Sequence, residues 1–202
     1  KHGYTSTLIL EGTDINVFKP LDKMACRKEL GLPMDKFVFG MIGANKENPA
    51  RKGWQEALEA FKIFHDTHPD SIFFYHTNQN PGTGFPIMPY ASYLGLSPFI
   101  FQLDPYLATI HSGSEQVCKI INAFDVLLHP SMTEGFGLVS VEAQSCGVPV
   151  IINNCTSMPE MMIPGVTGEM CESDRKFFSN AGGFTYFPKV DSLVEKMEKL
   201  FK

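Results

Sequence analysis

The sequence predicts an α/β fold in which helices cover both faces of a parallel sheet. Short apolar runs alternate along the chain with amphipathic stretches, which is typical of βαβ units with right-handed crossovers. The apolar runs are continuous rather than alternating with polar residues, as expected for strands buried on both faces. Strands are therefore predicted at Phe37–Ile42, Ile72–Tyr75, Phe99–Leu103, Val126–Leu128 and Val148–Ile152.

Helical patterns lie between the predicted strands. Trp54, Leu58, Phe61 and Phe64 recur at the three- to four-residue spacing of one helix face. Three further helices are predicted. The first runs through Val117–Ile121 and is capped by Ser112 or Ser114, and the second covers Phe136–Ser145 and is ended by Gly147 and Pro149. The third covers Val190–Phe201. The stretch Asn78–Pro89 is rich in Pro, Gly and Asn and is predicted to be an irregular loop at the carboxyl edge of the sheet.

The remaining segments set the domain boundaries. Residues 1–36 are predicted to be a linker segment, with a strand at Thr7–Leu10 and a short helix at Lys23–Leu30 that ends at a glycine. Residues 37–188 form the α/β domain. Residues 189–202 form a C-terminal helix, which packs either on this domain or on a missing neighbour.

Composition excludes several classes of function. The net charge of −5 argues against sequence-independent nucleic-acid binding, which needs a basic face. The five cysteines are scattered and odd in number, which argues against a disulfide framework and a zinc site and favours a reducing, cytoplasmic compartment. No run approaches the roughly 18 apolar residues of a membrane span. No signal-peptide pattern opens the chain, and because its first residue is Lys1 rather than methionine, we expect a processed or excised piece of a longer protein.

The most informative stretch joins a predicted strand to a helix through a glycine turn. Gly135 and Gly137 allow close approach of a ligand or a positive φ, and the amides of the following helical turn favour phosphate oxygens. Glu134 and Glu142 lie eight residues apart, and carboxylates accept paired hydrogen bonds from vicinal sugar hydroxyls. The alternative is that Glu134 only interacts with the helix dipole and that Glu142 is a solvated surface residue.

A basic loop follows the first predicted strand of the domain. Lys46, Arg51 and Lys52 place positive charge beside a helix amino terminus, which suits a diphosphate. The alternative is a solvated basic loop without a ligand. A dinucleotide-dependent dehydrogenase is not expected, because no G-x-G-x-x-G motif follows the strand.

Residues 129–150 carry the motif H-P-S-x-x-E-G-F-G-L-x-x-x-E-A-x-x-x-G-V-P-V. It resembles the E-x7-E signature of retaining glycosyltransferases with the GT-B fold, in particular glycosyltransferase family four (glycosyl transferases group 1). The similarity to this family extends on both sides of the motif. It includes the segments Leu10–Asp14 and Phe18–Pro20 before the motif, and Pro159-Glu160, Gly165 and Thr167-Gly168 after it. The resemblance covers about residues 8–172.

The resemblance implies a Rossmann-like, nucleotide-sugar-binding domain that forms one half of a GT-B enzyme. Glu142 would bind the ribose, and Glu134, the catalytic residue, would face the transferred sugar and stabilise positive charge at its anomeric carbon. Lys52 matches a family lysine that holds the diphosphate. The family also has an arginine after the first strand, but this sequence has Ala44 or Asn45 at that place. Arg51 or Lys46 would then take over the contact of the missing arginine. The implied donor-binding residues are Lys52, Arg51, Ser131, Gly135, Phe136, Gly137, Leu138, Val139 and Glu142.

The expected activity is transfer of a hexose from a nucleoside diphosphate sugar to an unknown acceptor, with retention of the anomeric configuration. Neither a metal nor a cofactor is expected. Because the N-terminal acceptor-binding domain is missing, the isolated chain is expected to bind donor but to be inactive, and peripheral membrane association of the full-length protein is left open. The alternatives are a non-catalytic sugar-nucleotide-binding module and another GT-B reaction, such as that of a phosphorylase or an epimerase.

Overall fold

One parallel sheet of six strands organises the domain. The structure, a computed structural model, describes residues 7, 9, 11–46, 50–77, 83–104, 113–179 and 182–202. The strand order is β3-β2-β1-β4-β5-β6, and every neighbouring pair is parallel. The strands are β1 Phe37–Ile42, β2 Ser71–His76, β3 Ile100–Gln102, β4 Val126–His129, β5 Val150–Asn153 and β6 Gly168–Cys171. β2 and β3 lie on one side of β1, whereas β4 lies on its other side, so the strand order reverses between β1 and β4. At such a point a crevice opens beyond the carboxyl ends of the two strands.

Helices cover both faces of this sheet. They are α1 Lys23–Glu29, α2 Trp54–Thr67, α3 Ile87–Tyr93, α4 Ser114–Asn122, α5 Leu138–Ser145 and α6 Val190–Phe201, with 3-10 turns at Ser97–Phe99 and Met158–Met161. Successive strand residues point to opposite faces. Phe73 packs with the core under α2, α3 and α6, whereas its neighbours Ile72 and Phe74 pack with the core under α1, α4 and α5. The continuous apolar runs of the sequence are therefore strands buried on both sides.

The predicted strands of the sheet are all present, with ends that differ by up to two residues. The predicted sheet lacked β6, because its residues G-E-M-C are not an apolar run. Glu169 is nevertheless buried there, and its carboxylate lies 2.6 Å from the ammonium of Lys199. An antiparallel hairpin, β7 Ser173–Phe178 with β8 Phe184–Pro188, was also not predicted, because β7 is mostly exposed and charged.

Three local predictions require correction or restriction. Ser114 begins α4 rather than capping it, since the N-cap is Gly113 and makes no side-chain hydrogen bond; Ser112 lies outside the described residues. The helix predicted from Phe136 begins at Leu138. The predicted irregular stretch 78–89 contains the start of α3, whose Pro89 is tolerated in the first helical turn, while residues 78–82 lie outside the described residues.

Part of the predicted linker segment can be placed. A strand is predicted at Thr7–Leu10, but two of its four residues lie outside the described part. The other two, Thr7 and Ile9, have no regular structure. The predicted helix is α1, and the glycine after it, Gly31, has φ +68°. Its Arg27 is buried, donates to the carbonyl of Ala123 at 2.9 Å, and lies 2.5 Å from a carboxylate oxygen of Asp125. This ion pair fixes α1 to the strand that leads into the crevice.

The C-terminal helix packs on this domain, which is one of the two predicted alternatives. The ring of Phe201 lies 5.0 Å from that of Phe37 and 5.4 Å from that of Phe64. Glu198 lies 2.9 Å from the ring of His68 at the end of α2. In the part of the chain described, no helix is long and apolar enough to cross a membrane.

Removing the Arg27 guanidinium should destabilise the fold, because the carboxylate of Asp125 loses its most buried partner. We expect Arg27→Met to lower the free energy of unfolding by about 3 kcal/mol, as is typical when one partner of a buried pair is removed. Urea denaturation measures the change. The control is Lys119→Met, which breaks an exposed pair with Glu29 and should leave the midpoint nearly unchanged. Equal midpoints for both variants would contradict this role of Arg27.

Candidate functional site

A cleft of about 490 Å³ opens at the carboxyl ends of β1 and β4. This is the crevice that the reversal of strand order creates, where open α/β sheets bind their ligands. The cleft is lined by Glu11, Phe18, Ile42, Gly43, Lys52, Ser114, Val117, His129, Glu134, Phe136, Gly137, Leu138, Val139 and Glu142. Residues from the segment before α1, from the ends of β1 and β4, from the loops that follow these strands and from the adjoining helices α4 and α5 therefore share one concave surface.

Two loops approach each other closely beside the cleft, one before α2 and one after β4. Gly53 has φ +76°, and a Cβ atom there would lie 2.3 Å from the carbonyl oxygen of Pro130. The amide of Met132 donates to the carbonyl of Arg51 at 2.8 Å, and the Arg51 guanidinium donates to the carbonyl of Thr133 at 2.7 Å. Only glycine fits at position 53 without strain, and its absent side chain lets the basic loop reach the acidic one.

This contact assembles a charged cluster around Glu134. Oε1 of its carboxylate accepts from Nζ of Lys52 at 2.5 Å and lies 3.2 Å from Nε2 of His129, while Oε2 lies 3.3 Å from Nη1 of Arg51. The Glu134 side chain is 10% exposed. Burial raises the pKa of Glu134, but its hydrogen bonds with His129 and Lys52 and the charge of Lys52 outweigh burial and hold the pKa well below its usual range. Glu134 is therefore an anion in the resting site.

His129 connects Glu134 to helix α5. The ring is almost wholly buried, and its Nδ1 lies 2.7 Å from Oγ of Ser140. Burial lowers the pKa of His129, and the nearby charges of Lys52 and Arg51 lower it further against the pull of Glu134. We infer that the ring is neutral at physiological pH.

Glu142 lies on α5 and lines the same cleft. Burial raises the pKa of its carboxyl group. In the described part of the chain, no cation or hydrogen-bond donor contacts this carboxylate. The two acidic residues thus have opposite environments: Glu134 is neutralised by protein groups, and Glu142 faces the cleft without a partner.

The amino terminus of α5 also faces the cleft. Its N-cap, Gly137, has φ +101° and provides no capping side chain. Among the described residues, the backbone N–H groups of Leu138 and Val139 have no acceptor. Such N–H groups, together with the helix dipole, favour an anion. The cleft therefore combines anion-binding amides, a lysine and an unpartnered carboxylate.

A second cleft of about 680 Å³ lies on the other side of Glu134. Gly135, Thr156 and Ser157 line it. Oγ1 of Thr156 accepts from the amide of Glu134 at 3.1 Å, and the Ser157 hydroxyl donates to the carbonyls of Glu134 and Phe136. Thr156 has φ +48°, an uncommon conformation for a residue other than glycine, and it supports the turn that carries Glu134.

The structure brings together most of the residues identified from the sequence. Seven of them line the main cleft: Lys52, Glu134, Phe136, Gly137, Leu138, Val139 and Glu142. Gly135 lines the second cleft. Glu142 is partly buried rather than a solvated surface group, and Glu134 is held in ion pairs in addition to any interaction with the helix dipole.

Two of the identified residues do not line either cleft. Arg51 supports Glu134 and Thr133 instead. Ser131 is fully buried, and its hydroxyl has no hydrogen-bond partner among the residues that the structure describes. At the place of the family arginine, Ala44 is exposed, whereas Asn45 is buried and exchanges two hydrogen bonds with the backbone of Phe85 at 2.7 and 2.8 Å.

Sequence reasoning missed the residues that hold Glu134. His129 contacts Glu134, Thr156 and Ser157 contact its turn, and Ser140 contacts the His129 ring. Only His129 carried a signal, since it follows a predicted strand at the ligand edge. Within the described ranges, no group of three or more His, Cys, Asp or Glu side chains is placed to hold a metal ion.

The opposite environments of the two carboxylates predict stability changes of opposite sign. The pKa of Glu134 is lowered in the folded state, so its contribution to stability is present above the unfolded pKa of about 4.3 and is lost as pH falls. The pKa of Glu142 is raised, so its ionisation destabilises the fold at neutral pH. At pH 7 we expect Glu134→Gln to lower Tm and Glu142→Gln to raise it. The Glu142 difference should disappear as pH falls to about 4, whereas the Glu134 difference should shrink only below about pH 4. Calorimetric Tm values across this range test the signs, and two shifts in the same direction at pH 7 would contradict them.

Substituting Gly53 should disrupt the contact between the two loops. Gly53→Ala adds a Cβ atom against Pro130 and a strained left-handed residue, and we expect it to cost about 2–3 kcal/mol of stability. Chemical denaturation measures this cost. Gly12→Ala is the matched control, because Gly12 has open space around it and no positive φ. A loss below about 0.5 kcal/mol, the range of neutral surface changes, would show that the loops separate without cost.

Comparison with known proteins reveals relatives that are glycosyltransferases. Residues 108–202 match the family model described as Glycosyl transferases group 1. The D-inositol 3-phosphate glycosyltransferase of Mycobacterium tuberculosis is 29% identical over 163 residues, which cover 79% of this chain and 31% of that protein. The chain thus spans less than a third of the length of this relative.

Solved structures share the fold. The C-terminal domain of a glycosyl transferase group 1 family protein, LpcC, from Francisella tularensis superposes with a TM-score of 0.70 at 21% identity, over 94% of this chain and 88% of that domain. Anabaena HepE, in complex with UDP and glucose, superposes with a TM-score of 0.68 at 20% identity, over 95% of this chain and 46% of that protein. The predicted Rossmann-like α/β fold is thereby confirmed.

Proposed function

We propose that this chain, whose residues 108–202 match the Glycosyl transferases group 1 model and whose fold is that of the C-terminal half of a GT-B glycosyltransferase, binds the donor, a nucleoside diphosphate sugar. The whole enzyme would transfer a hexose from this donor to an acceptor with retention of the anomeric configuration. The five cysteines are free and buried, which fits a reducing compartment, and we propose a cytoplasmic enzyme.

The observation that carries this proposal is the composition of the main cleft. It lies at the switch point of the sheet and combines free helix amides, Lys52 and the unpartnered carboxylate of Glu142. A nucleoside diphosphate offers the complementary groups, since its phosphates accept from amides and ammonium and its ribose hydroxyls donate to a carboxylate. A structural neighbour in complex with UDP and glucose supports this choice of ligand.

Each charged residue has a role in this proposal. The diphosphate binds the amides of Leu138 and Val139 and the ammonium of Lys52, which in the resting site neutralises Glu134. Arg51 stays with Glu134 and keeps it compensated while Lys52 turns to the diphosphate. The ribose binds Glu142, and the sugar lies beside Glu134 between the two clefts.

The proposed chemistry is electrostatic. As the bond to the anomeric carbon breaks, negative charge grows on the leaving diphosphate, where the helix amides and Lys52 stabilise it. Positive charge grows on the sugar ring, and the anionic Glu134 stabilises it from close by. These groups provide the charge that the leaving group needs, so we propose transfer without a metal.

Transfer requires a second domain in this proposal. GT-B active sites lie between two halves, and this chain spans 31% of the relative from Mycobacterium tuberculosis. We therefore expect the isolated chain to bind donor but to transfer its sugar very poorly, and the full-length enzyme to do both. Peripheral docking of the full-length enzyme on a membrane would then be a property of the absent half.

Calorimetric titration of the chain with UDP, GDP, ADP and their glucose or mannose conjugates, without metal, tests donor binding. We expect one base to bind saturably, and Glu142→Ala to weaken that nucleotide by about 1–3 kcal/mol, as is typical for a charged hydrogen bond. Glu195→Ala is the matched control, since Glu195 is exposed on α6, outside the cleft lining, and pairs with Lys196. Equal affinity in the native chain and the Glu142 variant would reject the assigned role.

One observation favours a second candidate, a sugar-nucleotide-binding module without catalysis. The family arginine is absent after β1, and Asn45 is occupied by the backbone of Phe85. Assay of the full-length parent with and without Glu134→Gln separates the two candidates, since only an enzyme loses turnover. Release of nucleoside diphosphate, rather than sugar phosphate, distinguishes a transferase from a phosphorylase.

A further inference from the structure

His129 forms a buried link between Glu134 and helix α5 that the proposed chemistry does not yet use. Its Nε2 lies 3.2 Å from Oε1 of Glu134, and its Nδ1 lies 2.7 Å from Oγ of Ser140. Both Ser140 and the His129 ring are buried, so neither partner is replaced by bulk water.

The chemistry of the two partners determines which ring nitrogen carries the proton. A carboxylate only accepts hydrogen bonds, so the nitrogen that faces Glu134 must be N–H. In the described part of the chain, the Ser140 hydroxyl has no other side-chain or backbone partner than the His129 ring, so it donates to the second nitrogen. This arrangement selects the neutral tautomer with hydrogen on Nε2.

The charges around the ring oppose a second proton. Glu134 faces His129 and favours the imidazolium, but Lys52 and Arg51 already neutralise that carboxylate and repel a further cation. The ring is also excluded from solvent, which disfavours the charged form. A neutral ring that donates one directional hydrogen bond is consistent with all of these contacts.

We propose that His129 is a positioning residue: as the Nε2–H tautomer that Glu134 and Ser140 together select, it fixes the direction of the Glu134 carboxylate toward the donor sugar. Lys52 and Arg51 compensate the negative charge of Glu134, whereas the hydrogen bond from the buried His129 ring fixes the orientation of its carboxylate. The role of the carboxylate rests on the proposed function, but the tautomer and its effect on Glu134 do not.

Nitrogen-15 NMR of the histidine-labelled chain tests the tautomer directly. The chain has six histidines, and the signals that disappear in His129→Gln belong to His129. We expect the two-bond correlation pattern of the Nε2–H tautomer at pH 7. Ser140→Ala removes the donor to Nδ1 and should shift the Nδ1 resonance while Nε2 stays protonated, whereas Ser145→Ala, at the end of the same helix, should leave both resonances unchanged. An Nδ1–H ring or an imidazolium in the native chain would overturn the proposal.

The pKa of the Glu134 carboxyl group tests whether the link acts on it. The amide of His129→Gln can still donate from the position of Nε2, whereas His129→Leu cannot. Carbon-13 titration should therefore show a higher Glu134 pKa in the leucine variant and a value near the native one in the glutamine variant. An unchanged pKa in the leucine variant would overturn the proposal, and if that variant does not fold, the Ser140→Ala result decides.

Comparison of UDP with UDP-glucose separates this proposal from the proposed function. We expect His129→Leu to weaken UDP-glucose by about three- to tenfold, the range of one hydrogen bond, and UDP by less than about twofold. Equal weakening of both ligands would indicate a purely structural residue and overturn the positioning role. If the native chain binds neither these ligands nor the other nucleotides, the proposed function fails, and the NMR result still decides the role of His129.

Discussion

The close approach of two loops is the constraint on which the candidate site depends. The loop before α2 reaches the loop after β4 only because residue 53 has no side chain to collide with Pro130. A backbone hydrogen bond between Met132 and Arg51 then holds the loops together. Without this contact, Lys52 would be one more solvated lysine. With it, a basic segment and an acidic one that are about eighty residues apart in sequence form one charged surface.

The site combines two carboxylates: Glu134, which has ion-pair and hydrogen-bond partners, and Glu142, which has none among the described residues. Glu134 has a lysine, an arginine and a histidine around it, and its turn is held by Thr156 and Ser157. Glu142 is partly buried without such partners. An uncompensated buried charge destabilises a fold unless something binds it. The cost at Glu142 and the free amides at the start of α5 therefore indicate a surface organised around a ligand.

The sequence was sufficient for most of the sheet and for the main cleft, because both depend on local patterns. Apolar runs of the right length identify strands, and the glycine turn with its two glutamates is contiguous in the chain. The pattern could not predict β6, since burial of Glu169 depends on Lys199 from α6, thirty residues away. Nor could it predict the support of Glu134, since the link from His129 to Ser140 and the contact with Thr156 exist only once strand, helix and loop are packed together.

The loop before α2 also places Trp54 where its fluorescence can report on the cleft. Trp54 is the only tryptophan of the chain, begins α2 two residues after Lys52, and is fully buried. Its indole N–H lies 3.5 Å from the carbonyl of Ala44, in the segment that follows β1. The emission of the chain therefore comes from a single indole beside the basic loop. Any rearrangement of that loop changes the surroundings of the indole, so intrinsic fluorescence can follow events at the cleft without an added label.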